Sequence, residues 1–224
     1  MLKAQLFKSD RMFALCVCEK SPSGELPEGL SRCDMEIPEE PLLLQQVHGG
    51  TVHYIDSIKV AEGTRGAFGD GLVVVQPGIA VGISTADCIP LVIADKKGGG
   101  MAVLHCGWKP VAVGIIENAM SLMLSNTNIH PEDLVCTMGP GILGSEYEVG
   151  DDVAARFPDS VQPMENGKYL LDLPKEIAAR LVRFGVPENA ISPPPISTLG
   201  EKWLPSYRRE GDAAGRMLTI AWFI

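Results

Sequence analysis

Two apolar runs on either side of a glycine-rich loop constrain the fold of this chain more than any other feature. Residues 89–94 and 101–105 are almost entirely apolar, and residues 96–100 between them read Lys-Lys-Gly-Gly-Gly. Short apolar runs that are bounded by turn residues indicate buried strands. The pattern therefore predicts a hairpin of two buried β-strands.

This hairpin has a chemical consequence. Cys88 comes just before the first strand and His105 ends the second, and the two open ends of an antiparallel hairpin lie side by side. A third segment, residues 46–49, adds His48 in the sequence Gln-Val-His-Gly. Two imidazoles and one thiol are the ligand set of a metal site with one open position, which is typical of catalytic zinc. An enzyme is therefore the first hypothesis.

One other histidine and three of the other cysteines fit structural roles. The chain has four histidines and six cysteines, and His130 lies in a polar stretch that predicts a surface loop. We interpret Cys16, Cys18 and Cys136 as small buried side chains rather than metal ligands. The apolar run at residues 12–18 is too short to span a bilayer and is predicted to form the first strand. Cysteines without a secretory signal suggest reduced thiols and a cytoplasmic location.

Composition limits the classes of partner. With 224 residues and 46% hydrophobic content, the chain can bury a full core, and we predict a single domain over residues 1–224. A net charge of -9 argues against binding to nucleic-acid phosphates or anionic membranes, because both attract proteins with an excess of lysine and arginine. We therefore expect small-molecule partners, and the sequence leaves the oligomeric state open.

Predicted strands and helices alternate along the rest of the chain, which indicates an α/β protein. We predict strands at residues 71–75, 79–84, 134–138, 168–173 and 217–224. We predict helices at residues 110–125, 151–157 and 174–184, the last of which stops at Gly185.

Several motifs stand in the order seen in the YfiH-like proteins, and from about residue 44 onward the chain resembles that family. The family is described both as laccase-domain polyphenol oxidases and as purine nucleoside phosphorylases. The motifs are Gln-Val-His-Gly (46–49), Thr-Ala-Asp-Cys-Ile-Pro (85–90), His-Cys-Gly-Trp-Lys (105–109), Gly-Pro-Gly-Ile (139–142), Tyr-Glu-Val-Gly (147–150), Ser-Tyr-Arg-Arg (206–209) and Gly-Arg-Met (215–217).

The resemblance implies a fold, a cofactor and an activity. It implies a layered α/β/β/α sandwich with mixed sheets flanked by helices, and a cytoplasmic enzyme. It implies a zinc site at His48, Cys88 and His105, the same residues that the hairpin argument selects. The implied reaction is phosphorolysis of adenosine, inosine, guanosine and methylthioadenosine to the base and pentose 1-phosphate, with some adenosine deaminase activity.

The chain departs from the family pattern in three places. It lacks the Ser-Leu-Asn-Leu stretch and the Asn-Arg pair upstream of residue 46, where Arg32 is the available substitute. Ser197 and Thr198 stand where the family has Cys-Thr, and Lys109 replaces an arginine. These changes affect the predicted substrate and phosphate contacts and leave the ligand set intact.

Further site residues follow from their chemistry. Asp87 is a candidate for acid/base work or for support of a ligand, and the alternative is that it caps a turn. Arg208 is a candidate contact for phosphate, because a guanidinium can donate two hydrogen bonds to its oxygens; the alternative is a surface salt bridge. Lys109, which stands where the family has an arginine, is a second candidate. Tyr207 and Trp108 are candidates for stacking on a purine, although simple packing would explain both.

Three other functions remain open. In a metal-free hydrolase, Cys88 would be the nucleophile and His105 or His48 its base. A copper enzyme is a second alternative, because two histidines and a cysteine also hold a single copper ion. A four-copper laccase fits poorly, since the chain has four histidines and no His-x-His pair. A binding protein with a decayed pocket is the third.

Overall fold

The computed structural model describes residues 2–8, 12–18, 31–32 and 40–224. These residues form three β-sheets and six α-helices. The strands are β1 (Leu2–Lys8), β2 (Met12–Cys18), β3 (Ser31–Arg32), β4 (Val52–Ile55), β5 (Gly71–Val74), β6 (Val81–Thr85), β7 (Ile89–Asp95), β8 (Met101–Cys106), β9 (Leu134–Met138), β10 (Glu148–Val149), β11 (Val161–Pro163), β12 (Tyr169–Leu171), β13 (Ile191–Ser192) and β14 (Met217–Phe223). The helices are α1 (Ile58–Thr64), α2 (Trp108–Ala112), α3 (Ile115–Asn126), α4 (Asp151–Ala154), α5 (Leu173–Arg183) and α6 (Tyr207–Glu210).

The predicted hairpin is confirmed and lies at the centre of the largest sheet. This sheet has six strands in the order β13-β9-β7-β8-β5-β4, with parallel pairs at both edges and antiparallel pairs between them. In the β7–β8 pair, Ile89 lies opposite Cys106 and Pro90 lies opposite His105. The register therefore brings the residue before β7 to the end of β8.

Both faces of the central sheet are covered. Side chains alternate between faces along a strand, so Leu91 and Ile93 pack toward α3 and α5 while Val92 and Ala94 pack toward a second sheet. The second sheet is antiparallel, in the order β3-β1-β2-β14-β6, and a third, small sheet has the order β10-β12-β11. The predicted α/β class with mixed sheets flanked by helices is confirmed.

The prediction of one continuous helix over residues 110–125 is wrong. The segment forms α2, which already begins at Trp108, and α3, which begins after Gly114. Gly114 has a φ of 87°, in the left-handed region that residues other than glycine rarely adopt. This residue interrupts the helix. The apolar spacing continued through the break, so periodicity alone did not detect it.

Three predictions about the strands also change. The strand at residues 12–18 is not the first, because β1 precedes it and pairs with it. The predicted strands at 71–75 and 79–84 correspond to β5 and β6, which lie in different sheets. The predicted strand at 168–173 is shorter because Asp172 instead caps α5, its side chain accepting a hydrogen bond from the Lys175 N–H at 3.0 Å.

The other predicted elements are confirmed with small shifts of their ends, and Cys136 is buried as predicted. The side chains of Cys16, Cys18 and Arg32 lie outside the described residues. In the ranges that the structure describes, none of the helices combines the length and the apolar character that crossing a membrane requires.

Two glycines test the importance of the helix break. We expect Gly114→Ala to lower the free energy of unfolding by about 1–2 kcal/mol, because alanine is strained at a positive φ. Gly63→Ala is the matched control: this glycine lies inside α1, and an added Cβ meets no atom within 4 Å. We expect it to raise stability by about 0.5–1 kcal/mol. Urea denaturation measures the free energy of unfolding of both variants. Equal effects of the two substitutions would contradict the conclusion that the positive φ at position 114 requires glycine.

Candidate metal centre

The structure brings the three predicted ligands together. The ligand atoms of His48, Cys88 and His105 all lie within 4.8 Å of one another. The centroids of the two imidazole rings are 4.6 Å apart and the rings are inclined at 70°. No other group of three potential ligands of this kind occurs in the described part of the chain. The juxtaposition expected from the hairpin is therefore observed, together with a histidine from a separate loop.

Space beside the sulfur is restricted by the end of the hairpin. A Cβ atom at Gly107, which follows β8, would lie 2.7 Å from the Cys88 Sγ and 3.6 Å from the His48 ring. Contacts as short as 2.7 Å require one of the two groups to move. Glycine at position 107 therefore leaves the thiol room beside the two imidazoles.

A buried carboxylate that the sequence analysis missed organises the site. Asp70 accepts hydrogen bonds from the backbone N–H groups of Val47, His48 and Gly49 at 3.2, 2.9 and 2.7 Å. The same carboxylate lies 2.8 Å from Nδ1 of His105. One side chain thus fixes both the ring of one proposed ligand and the loop that carries another.

The contact with Asp70 determines which nitrogen of His105 faces the site. Because Nδ1 is bound to the carboxylate, Nε2 is left for Cys88 or for a metal ion, the usual arrangement of a metal-binding histidine. His48 has a φ of 56°, which is uncommon for a residue other than glycine. Its strained backbone is held by the three N–H groups that converge on Asp70.

A sequence signal for Asp70 did exist. The residue stands between Gly69 and Gly71 at the start of a predicted strand, and β5 pairs with β8 so that Gly71 lies opposite Leu104. The backbone N–H of His105 also donates to the Asp70 carbonyl at 2.8 Å. Predicting the contact required knowing that β5 is the neighbour of β8, which the local pattern does not give.

The three side chains shift one another's pKa values. Burial acts to raise the pKa of the Cys88 thiol, but hydrogen bonds from His105 and His48 outweigh it and lower that pKa to about 7. Burial acts to lower the pKa of His105, but hydrogen bonds to Asp70 and Cys88 raise it to about 9. In the metal-free site, the two shifts favour ionisation of the thiol and protonation of the imidazole relative to the ordinary values of these groups.

Asp87 ties the C-terminal part of the chain to the hairpin. Its carboxylate accepts hydrogen bonds from the Thr198 hydroxyl at 2.6 Å, the Ser206 hydroxyl at 3.1 Å and the Arg208 N–H at 2.6 Å. Like His48 it has a positive φ, of 81°. Both carboxylate oxygens are engaged, so these contacts favour a supporting role over proton transfer.

The candidate ligands open onto a cleft of about 780 Å³, a volume within the usual range for small-molecule sites. The four predicted substrate-binding residues, Trp108, Lys109, Tyr207 and Arg208, all line it. The other lining residues are Leu44, Gln46, Val47, His48, Ser84, Thr85, Ala86, Asp87, Cys88, His105, Gly107, Ile142, Tyr147 and Arg216.

The two candidate stacking residues differ in their surroundings. Tyr207 is 52% exposed, and its hydroxyl lies 3.3 Å from the Asp212 carboxylate. Trp108 is partly buried against the hydrophobic core, and the Lys109 ammonium lies 5.5 Å from the centroid of its ring. A second cation, Arg156, lies 5.9 Å from the same ring. Tyr207 is therefore the more accessible surface for a planar ligand.

Arg208 is held in place without a carboxylate partner. Its guanidinium lies 5.4 Å from the centroid of the Tyr147 ring, and Nη1 donates to the Glu148 carbonyl at 2.9 Å. Among the described residues no salt bridge to Arg208 is present, so the alternative prediction of a surface salt bridge is not borne out. The remaining donors of the guanidinium are available to a ligand in the cleft.

The other histidines lie away from the site. Nε2 of His53 is 3.0 Å from the Phe68 carbonyl, and His130 is exposed before a short 3-10 helix, as predicted. The remaining described thiols, Cys106 and Cys136, are both buried. Among the described histidines, His48 and His105 therefore belong to the candidate metal centre, and His53 and His130 do not.

Comparison with known proteins identifies the family. Residues 30–224 match the sequence model of the family described as multi-copper polyphenol oxidoreductase laccase. The chain belongs to this family. An Escherichia coli relative, YfiH, is named a purine nucleoside phosphorylase and is 29% identical over 194 residues, which are 84% of this chain and 76% of that protein. The YfiH-like resemblance predicted from the motifs is thus confirmed.

Other relatives of this laccase-domain protein carry the same name. A Bacteroides thetaiotaomicron protein named purine nucleoside phosphorylase is 31% identical over 210 residues, which are 87% of this chain and 76% of the relative. A Deinococcus radiodurans protein of that name is 36% identical over 182 residues, which are 79% and 68% of the two chains.

Solved structures show the same fold. A Neisseria meningitidis protein superposes with a TM-score of 0.77 at 24% identity, covering 100% of this chain and 99% of that one. The Bacillus licheniformis hypothetical protein YfiH superposes with a TM-score of 0.75 at 24% identity, covering 82% and 74%. At these identities the likeness concerns the fold alone.

Asp70 can be tested by its effect on metal affinity. We expect Asp70→Asn to weaken zinc binding by about 10- to 100-fold, because the amide cannot hold the His105 ring and the 47–49 loop as the carboxylate does. Asp95→Asn is the matched control, since Asp95 is also buried and caps a turn through the N–H groups of Lys97 and Gly99. Chelator competition should show a loss for the first variant only; equal losses would mean that Asp70 has no special relation to the ligands.

The lowered pKa of Cys88 predicts a pH dependence. In metal-free protein the thiolate fraction grows as pH rises through about 7, so alkylation of Cys88 by iodoacetamide should increase over that range. Burial raises the pKa of Cys136 to about 12, so Cys136 should not react there. Peptide mass spectrometry locates the label. An increase that begins only above pH 8.5 would contradict the predicted contacts with the two imidazoles.

Proposed function

We propose that this protein is a zinc-dependent purine nucleoside phosphorylase. The observation that carries the proposal is the convergence of His48, Cys88 and His105 at the wall of a cleft large enough for a nucleoside. Relatives at 31% and 36% identity that bear this name support the reaction class. In the reaction, the bond between base and sugar breaks, a phosphate oxygen bonds to the sugar, and a proton is added to the departing base.

The donor set fits zinc. Two imidazole nitrogens and one thiolate would hold Zn²⁺ and leave one position open toward the cleft, as in catalytic rather than structural zinc sites. Asp70 would fix the orientation of His105 in the manner expected for a metal-binding histidine. When bound, the ion supplies a positive charge that polarises a ligand or lowers the pKa of bound water.

The residues of the chain itself would bind and orient the substrates. Arg208 and Lys109 would contact phosphate, and Tyr207 would stack on the purine from the exposed side of the cleft. Asp87 would act as a positioning residue, because its carboxylate accepts the Arg208 N–H and so fixes the start of α6. These roles follow the predicted site residues, with support favoured over proton transfer for Asp87.

The proposed substrates are adenosine, inosine, guanosine and methylthioadenosine, on the basis of the family resemblance. The resemblance also extends the proposal to adenosine deamination, in which water attacks C6 of the purine ring, the bond to the amino group breaks and ammonia leaves. Assays of adenosine with and without phosphate separate the two reactions, because phosphorolysis yields adenine and deamination yields inosine.

A thiol hydrolase is a second candidate that a specific contact supports. Cys88, His105 and Asp70 could form a catalytic triad of nucleophile, base and orienting carboxylate, with the carboxylate 2.8 Å from the imidazole. Such a triad needs only one imidazole. The second imidazole, of His48, has no role in it and is instead expected of a metal site, so the zinc hypothesis accounts for more of the structure.

Copper is the alternative ion. A blue-copper site adds a weak axial ligand, commonly methionine, to two histidines and a cysteine. No methionine lines the cleft within the described residues. Zinc therefore fits the observed set better, and a colourless protein with stoichiometric zinc is the expected outcome of purification.

A pair of histidine variants tests the proposed function. We expect purified protein to contain about one zinc per chain and to release hypoxanthine from inosine only when phosphate is present. His48→Ala should lose the zinc and at least about 100-fold in kcat/KM, since a ligand is missing. His53→Ala is the matched control, because His53 lies outside the cleft lining, and it should retain both.

The outcomes separate the alternatives. Activity that survives zinc removal and is abolished by iodoacetamide would favour the thiol hydrolase. Zinc without turnover of any of the four nucleosides would favour a binding protein. Full zinc content in the His48→Ala variant would contradict the proposed ligand set itself.

A further inference from the structure

The cleft is positively charged although the protein is acidic. The chain has a net charge of -9, yet three cations, Lys109, Arg208 and Arg216, line the cleft. Among the described residues that line it, Asp87 is the only carboxylate, and both its oxygens accept hydrogen bonds from the protein. The unbalanced charge in the cleft is therefore positive, which favours an anionic ligand.

Arg216 is a cation that the sequence analysis did not assign to the site. It directly precedes β14, and its Nη1 donates to the carbonyls of Ala214 and Gly215 at 2.6 and 2.8 Å. Within the described part of the chain it forms no salt bridge with a carboxylate. These backbone contacts hold the guanidinium at the cleft and leave its other N–H groups for a ligand.

Arg208 and Arg216 are attached to the same short segment. The Arg208 N–H binds the carboxylate of Asp87, and Met217, which follows Arg216, lies opposite Thr85 in the β6–β14 pair. Thr85 and Asp87 are two residues apart, so the backbones of the two arginines are held at the same segment, and both side chains line the cleft. In each arginine, Nη1 donates to a backbone carbonyl and thereby restricts the plane of the guanidinium.

We propose that Arg208 and Arg216 together bind one tetrahedral oxyanion, which in the proposed reaction is inorganic phosphate. This inference rests on the proposed function for the identity of the anion. Two guanidinium groups that line the same cleft offer several N–H donors to phosphate oxygens, a ligand for which arginine is better suited than lysine. The hydrogen bonds that Asp87 accepts keep its carboxylate directed at the protein instead of at the anion.

Direct binding of inorganic phosphate to the zinc-loaded protein tests the proposal. Isothermal titration calorimetry should show that Arg208→Gln and Arg216→Gln each weaken phosphate binding by about 10- to 100-fold, as expected for loss of a charge-assisted hydrogen bond. Arg65→Gln is the matched control. Arg65 is exposed, also donates to backbone carbonyls, and lies outside the cleft lining, so its substitution should leave binding unchanged.

A double variant tests whether the two arginines share one anion. If they do, Arg208→Gln combined with Arg216→Gln should lose less affinity than the product of the two single losses, because each contact depends on the other. A stoichiometry of two phosphates per chain, with one lost in each single variant, would indicate two separate anion sites and would overturn the pairing. Unchanged phosphate affinity in Arg216→Gln would overturn the role of Arg216.

Further measurements separate misfolding and failure of the proposed function from failure of this inference. Zinc content and the thermal unfolding midpoint identify a variant that has lost its structure, and Arg216→Lys then provides a milder change with an expected intermediate affinity. In turnover assays, Arg216→Gln should raise the KM for phosphate and leave the KM for inosine unchanged. If the wild type binds phosphate through both arginines but does not cleave nucleosides, the anion site stands and the proposed reaction fails.

Discussion

The site depends on one buried carboxylate with four hydrogen-bond donors. Burying an ionised carboxylate is costly unless donors surround it, and Asp70 finds three backbone N–H groups of the 47–49 loop and the His105 ring. Because the loop and the ring satisfy the same group, neither can move without leaving charge unpaired. The carboxylate thus couples a loop that precedes the first strand of the central sheet to the end of its hairpin, and the three candidate ligands meet at that junction.

Asp87, the residue before Cys88, repeats this arrangement. It accepts donors from Thr198, Ser206 and Arg208, all more than a hundred residues away in sequence. Both His48 and Asp87 have positive φ values, and in each case hydrogen bonds to a distant segment hold the strained backbone. One aspartate therefore holds two of the candidate metal ligands, and the other holds the segment that carries Arg208.

The sequence was informative where the determining interactions are local. Two short apolar runs and a glycine-rich turn predicted the hairpin, and its register placed Cys88 beside His105. Long-range contacts were beyond such patterns: Asp70 gains its role only when β5 pairs with β8, and Arg216 only when β14 pairs with β6. The helix break at Gly114 was missed because apolar spacing continues across it, while the positive φ is a property of one residue.

Anomalous X-ray diffraction at the zinc absorption edge tests the central claim most directly. The account predicts one strong peak in crystals of the purified protein, about 2.0–2.3 Å from one nitrogen each of His48 and His105 and from the sulfur of Cys88. A zinc ion bound by other residues, or the absence of any peak in crystals of active protein, would contradict it.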